Sequence, residues 1–274
     1  MPDTRQRAYL EAMGIPLWEP RDAAGTALVE APPAEGPAAE AVGEIPAEPL
    51  AGAADAAPVA AISESRVGSG SGTTSEAPAL LSPEPRDLDW DGLQQAVAGC
   101  RQCDLCDSRT QTVFGVGDRQ ARLMLIGEAP GADEDRLGEP FVGRAGQLLT
   151  AMLAAIGFTR EQVYIANVLK CRPPGNRDPH VDEVAACRAY LDRQIELIQP
   201  RLILSLGGVS AKNLLDTDQG VGRLRGRLHH YPASGTPLRV TYHPAFLLRR
   251  PEEKAKAWVD LQQAWADLHG SAAL

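Results

Sequence analysis

Carboxylates crowd one short stretch of the chain: Gly127-Glu-Ala-Pro-Gly-Ala-Asp-Glu-Asp135 follows directly on the apolar run Leu123-Met-Leu-Ile126. A short apolar run that stops at a Gly/Pro break reads as a buried parallel strand ending in a tight loop. In open α/β sheets ligands bind beyond the carboxyl ends of the strands, so Glu128, Asp133, Glu134 and Asp135 stand where a substrate would be met. Gly127, Pro130 and Gly131 keep the backbone close and stiff, which lets main-chain N–H groups approach a phosphate or a base edge. The bland alternative is an acidic loop that merely faces solvent.

The second chemical signal is sulfur. Cys100-x2-Cys103, Cys106 and Cys171-x15-Cys187 make up the five cysteines. Met1 to Ala12 carries Arg5, Arg7 and Glu11 where an export signal needs an apolar centre, so the thiols are expected in a reducing compartment that disfavours disulfides. Two thiolates two residues apart can hold one metal from a single turn, and a distant pair can complete a four-sulfur site. Cys100, Cys103 and Cys106 also form a Cys-x2-Cys-x2-Cys run like part of a ferredoxin motif, with Cys171 or Cys187 then spare. Cys187 lies on an apolar helical stripe, where a free cysteine packs as a small hydrophobe. Spacing does not separate zinc from an iron-sulfur cluster.

Four apolar runs are expected as strands, at 123–126, 163–169, 202–206 and 239–242. Between them lie helical stripes: Leu149, Met152, Leu153 and Ile156, then Val184, Cys187, Leu191, Ile195 and Ile198, which stops at Pro200. A short helix follows Gly207-Gly208, and Trp258, Leu261, Trp265 and Leu268 mark a last one. Strands alternating with helices predict a parallel sheet covered on both sides, an α/β fold of three layers, α/β/α, around four parallel strands.

Charge divides the chain. Its formal charge is -9, but residues 1–86 hold 13 acidic against 5 basic residues, a balance of -8, and residues 87–274 hold 23 against 22, a balance of -1. The remainder is thus free to carry a basic face. Residues 19–86 are rich in Ala, Pro, Glu, Gly and Ser; they offer too little apolar surface to offset ordering entropy and are expected to be a disordered linker. Residues 1–18 read as a short helix ended by Gly14 and an apolar tail of Ile15, Leu17 and Trp18, suited to a protein partner or to packing on its own domain. Residues 87–274 form the expected functional domain. No run of 18 apolar residues occurs, which predicts neither secretion nor a membrane span but a soluble monomer of the cytosol or nucleoid.

Taken together, Gly127-Glu-Ala-Pro-Gly131, Pro140-Phe-Val-Gly143, Asn167 in Ile-Ala-Asn-Val-Leu-Lys-Cys-Arg-Pro-Pro, and His243-Pro-Ala-Phe-Leu-Leu-Arg249 resemble the family 4 uracil-DNA glycosylases. The resemblance covers about residues 95–268. It implies a four-stranded α/β/α sandwich, a monofunctional glycosylase that hydrolyses the deoxyuridine N-glycosidic bond in DNA, and a 4Fe-4S cluster on Cys100, Cys103, Cys171 and Cys187. Cys106 is spare in that pattern.

Excision passes through an oxocarbenium-like sugar while the base leaves as an anion, so the site must bind a flipped base, stabilise negative charge and supply water. The resemblance gives catalysis to Glu128, for the water, and to His243, donating to uracil O2. Glu134 and Asp135 are second candidates for the water. Substrate binding falls to Gly127, Ala129, Glu134, Phe141, Asn167 and His243, with the Asn167 amide pairing to uracil N3-H and O4 and Phe141 stacking on the base. DNA contacts are expected from Arg144, Arg172 and Arg249 and from backbone N–H groups at Gly207 and Gly208, with Leu247 and Leu248 as wedges. A better-known branch of the superfamily has Asp where this chain has Ala129. That departure motivates the alternative of a non-catalytic, cluster-bearing DNA-binding or redox-sensing protein. A covalent-trapping relative has a basic, His-containing insert after the second strand; the loop Arg172–Pro179 lacks it, which favours turnover. Lys170 is the one nearby amine for a lyase step, which is not expected.

Overall fold

Leucine-rich runs too short for a helix pair side by side as strands and send alternate side chains to opposite faces. The computed structural model describes Glu84–Gly270, together with Arg7 and Glu11. Apart from those two residues, both helical, the N-terminal segment expected at 1–18 lies outside the described residues, as does the expected linker up to Glu84. A 3-10 turn at Pro85–Asp87 opens the described domain and straddles its expected start.

The strands are β1 (Val116–Gly117), β2 (Leu123–Gly127), β3 (Tyr164–Asn167), β4 (Leu202–Leu206), β5 (His229–His230) and β6 (Pro237–Thr241). Their order is β1-β3-β2-β4-β6-β5, with the four inner strands parallel and the two-residue edge strands antiparallel. The parallel core agrees with expectation. The edges were not foreseen, because two residues show no periodicity.

The α-helices are α1 (Trp90–Ala98), α2 (Leu105–Ser108), α3 (Ala132–Leu137), α4 (Arg144–Ala155), α5 (Val181–Ile198), α6 (Gly208–Leu215), α7 (Val221–Leu224), α8 (Pro244–Arg249) and α9 (Lys254–His269). On one face of the sheet Leu123, Leu125, Ile165, Leu202 and Leu204 pack with Leu149, Met152 and Leu153 of α4 and Leu261 and Ala264 of α9. On the other, Met124, Ile126, Tyr164, Ala166, Ile203 and Val240 meet Leu191 and Ile195 of α5 and Ala211 and Leu214 of α6. Each fully buried Leu or Ile contributes roughly 1.5–3 kcal/mol relative to exposure, so the stripes read from the sequence are what fasten the layers. No helix among the described residues is long and apolar enough to cross a membrane.

Register sets the working edge. Gly127 pairs with Asn167 and Leu206 with Thr241. The carboxyl ends of all four parallel strands therefore finish level, and the loops that follow open on one rim.

Candidate active site

Along that rim lies a cleft of about 730 Å³. Glu128 follows β2, Asn167 ends β3, Gly207 follows β4 and His243 follows β6; all four line it, with Ala129, Glu134, Phe141, Gly208 and Arg249. Four residues at or just beyond the ends of different strands thus reach one space because the strands are parallel and end together.

Asn167 is almost fully buried, and its side-chain Oδ1 has no hydrogen-bond partner. A buried acceptor without a donor costs about 1–3 kcal/mol, which a ligand N–H would recover. The amide lies over the Cα of Gly127, where an added Cβ would overlap Oδ1 and stand 2.7 Å from Phe141 Cζ. Gly127 is therefore the floor on which the amide and the Phe141 ring rest, and it does not itself line the cleft.

Phe141 adopts φ 57°, a left-handed conformation rare for a bulky residue. Two neighbours hold it there. Gly146, in the first turn of α4, leaves space that a Cβ would fill by overlapping the Phe141 carbonyl. The Glu134 carboxylate accepts from the N–H groups of Gly131 (3.1 Å), Val142 (3.0 Å) and Gly143 (3.3 Å), tying the Glu128 loop to the Phe141 loop. The Phe141 ring then faces His243, with centroids 5.5 Å apart.

His243 caps α8: its Nδ1 accepts from the Ala245 N–H at 3.1 Å. Burial, and then the Arg249 charge, push its pKa down to about 4, against a smaller upward pull from Glu134. The ring is thus neutral at pH 7, and with Nδ1 an acceptor the single ring proton sits on Nε2. An added Cβ at Gly207 would come within 2.8 Å of His243 Cβ, so Gly207 makes room for the imidazole. Glu128 has the opposite perturbation. Burial, and then the Asp178 charge, raise its pKa to about 7. A carboxylate held near neutrality beside a neutral imidazole is a base and a hydrogen-bond donor in one cleft.

Several expected roles change in the folded chain. Leu247 is fully buried against the α4 side of the sheet and cannot wedge into DNA; Leu248 packs on the same core. The α8 residues that reach the cleft are Ala245, Phe246 and Arg249. The Gly207 N–H already donates to Thr241 O at 2.9 Å, so it is not free for a phosphate. Glu134 lines the cleft, but its carboxylate is occupied by three backbone N–H groups. Asp135 is buried beneath the loop and accepts from Thr110 N at 2.9 Å. Arg144 is exposed at the start of α4 outside the cleft, and Arg172 bonds Asn176 Oδ1 at 2.7 Å, also outside it.

Residues not anticipated from the sequence complete the wall: Asn176, Arg177 and Asp178 on one side, Tyr242 and Phe246 on the other. Arg177 donates to both oxygens of Glu183, at 2.9 and 2.6 Å, and to Asp178 O at 3.0 Å, which fixes the Pro-rich loop against α5. Tyr242 and Phe246 stack with centroids 5.0 Å apart. Their i, i+4 spacing across His243-Pro244 was the available signal.

The sulfur residues converge behind the same loop. Cys100, Cys103, Cys171 and Cys187 line one small cavity with Arg109, Lys170 and Tyr190. Cys106 does not; it faces outward beside Asp107. As the side chains stand, no three described His, Cys, Asp or Glu residues close into a metal-binding group. The donor chemistry nonetheless fits a thiolate-bound group. Arg109 donates to Cys171 Sγ at 2.9 Å. Burial pushes the Cys187 thiol up to about 11 and raises Cys103 and Cys171. A cation is then what would draw the protons off, since metal binding deprotonates a coordinating thiol outright.

A doubly wound α/β domain with a cleft at the carboxyl ends of its strands, mainly apolar and carrying a few convergent polar groups, has the architecture of a ligand-binding site. Residues 114–269 match the family described as the uracil DNA glycosylase superfamily. A type-4 uracil-DNA glycosylase of Archaeoglobus fulgidus is 48% identical over 168 residues, covering 59% of this chain and 84% of its own. Those of Pyrobaculum aerophilum and Thermotoga maritima are 41% and 40% identical, covering 64% and 63% of this chain and 92% and 91% of their own. The chain belongs to the uracil DNA glycosylase superfamily and, within it, to the type-4 group.

Proposed function

We propose that the rim cleft takes a uracil flipped out of DNA and that Glu128, Asn167 and His243 carry its excision. The protein is a uracil-DNA glycosylase, a DNA-repair hydrolase that binds uracil-containing DNA. What supports the residue assignment above all is the orphaned Oδ1 of Asn167 in the cleft that holds Glu128 and a neutral His243.

In this reading Asn167 Oδ1 accepts from uracil N3-H and its amide nitrogen donates to O4. Cytosine presents the reverse pattern at those atoms and leaves both unpaired. Phe141 covers one face of the base. As the bond from sugar C1′ to uracil N1 breaks, the electron pair goes to the base, and the Nε2–H of His243 stabilises the charge that gathers at O2. Glu128 orients a water toward C1′ and takes its proton as the new C–O bond forms; its negative charge also steadies the cationic sugar. The proton returns to the uracil anion in solution. Lys170 has no part in a lyase step: it does not line the cleft, and its Nζ bonds Asn167 O and Gln194 Oε1 instead.

Arg249 at the cleft edge supplies a phosphate contact, and the Gly208 N–H at the start of α6 another. Cys100, Cys103, Cys171 and Cys187 hold a 4Fe-4S cluster, which would pin the 171–187 segment beside the DNA. The test is incubation with a uracil-containing oligonucleotide followed by alkaline cleavage of abasic sites. A strand product from wild type, lost in His243→Ala, is expected; wild type giving no product sinks the assignment.

A further inference from the structure

Lys170 is buried, and no function described so far uses it. Its ammonium donates to the Asn167 carbonyl at 3.0 Å and to Gln194 Oε1 at 2.6 Å. Gln194, fully buried, is held by Phe114 O (3.0 Å) and the Tyr164 hydroxyl (3.2 Å). Among the described residues no carboxylate pairs with Lys170, whose electrostatic neighbours are Cys187 and Cys171. Lys170 is also one of the residues that line the cysteine cavity. An ammonium has three donors; two are engaged by oxygen, and the charges nearest to it are those of Cys187 and Cys171.

The peptide group leaving Asn167 is gripped at both ends. Val168 N–H donates to Gly127 O at 3.0 Å, and Lys170 Nζ holds the Asn167 carbonyl. That peptide sets the direction of the Asn167 amide, which has a close fit over Gly127. We propose that Lys170 is a positioning residue that couples the sulfur-lined cavity to the uracil reader, with one side of its ammonium facing the thiolates and the other anchoring Asn167. The inference rests on the cavity holding a thiolate-bound group, as proposed above. A buried cation is costly without opposite charge nearby, and thiolates carrying net negative charge provide it. A negatively charged thiolate-bound group in the cavity would strengthen the hold on the ammonium where it stands, on the Asn167 carbonyl, and with it the alignment of the amide.

The experiment uses full-length protein and free uracil as the probe. Iron and sulfide content and the visible absorption of wild type are measured first; an uncoloured, iron-free protein overturns the cluster reading and this inference with it. With the group present, Lys170→Met is expected to bind free uracil roughly tenfold more weakly, the worth of one charge-assisted hydrogen bond. Its KM should rise while uracil-over-cytosine discrimination falls. A folded, cluster-bearing Lys170→Met with unchanged uracil affinity overturns the coupling while leaving the cluster reading intact. A second measurement needs no variant: coupling is reciprocal, so saturating free uracil must alter the visible circular dichroism of the group in wild type. An unchanged spectrum likewise overturns the proposal.

Discussion

The ionisation of Glu128 gives the sharpest handle on the chemistry. Its carboxyl is lifted from 4.5 to about 7, first by burial and second by the Asp178 charge. As the base it must be ionised, so the rate should rise with pH. About half the molecules are competent at pH 7, but only about a tenth at pH 6, since one unit is a factor of ten. His243, with its pKa near 4, stays neutral over this range and adds no limb. Single-turnover excision from a uracil oligonucleotide should therefore climb about tenfold per pH unit up to pH 7 and level off above it. Glu128→Gln should lower the plateau roughly a hundredfold or more and abolish the limb, with DNA binding little changed. Asp178→Asn removes the like charge, so its limb should move to lower pH and the variant should outpace wild type at pH 6. Stability has a definite sign as well. A carboxyl whose folded pKa is raised contributes most below its ordinary value of 4.5, and that contribution is lost as pH rises through about 7. Glu128→Gln should thus raise the melting temperature at pH 8 and not at pH 4. The gain is on the order of 1–2 kcal/mol once the shift is discounted for solvent screening. A rate flat from about pH 5.5 to about pH 8.5, or a variant that loses binding and rate equally, would refute the assignment of Glu128 as base.

Asn167→Asp should slow uracil excision about a hundredfold and narrow the preference over cytosine, because the amide donor to O4 is lost; paired uracil and cytosine oligonucleotides read the ratio. Gly127→Ala drives a methyl into Asn167 Oδ1 and the Phe141 ring, so kcat/KM should collapse by roughly a hundredfold or more while the fold persists, as circular dichroism would show. Cys103→Ser should remove visible absorption and iron, whereas Cys106→Ser, whose thiol lies outside the cavity, should leave both unchanged. Zinc without colour in wild type would disprove the iron-sulfur assignment.

Much of this was legible in the residues. The apolar runs fixed four strands, because a segment that is hydrophobic throughout must be covered on both sides, and the stripes of α4, α5 and α9 supplied the cover. The motifs at strand ends located Glu128, Asn167 and His243, since parallel strands deliver their following loops to one rim. Cysteine spacing marked the sulfur site but left its membership open; the shared cavity places Cys106 outside it.

Other features belonged to the folded chain alone. Leu247 and Phe246 are neighbours of similar hydrophobicity, yet one is buried in the core and the other borders the cleft. A six-residue helix shows a period but not which of its faces lies against the sheet. Glu134 and Glu128 are both acids of one loop. Three backbone N–H groups make the first a clamp, and burial beside Asp178 lifts the pKa of the second to about 7. Residue type and spacing determined which groups were on hand. Their protonation and their partners depend on atoms brought close from elsewhere in the chain, and only the packed tertiary structure decides those distances.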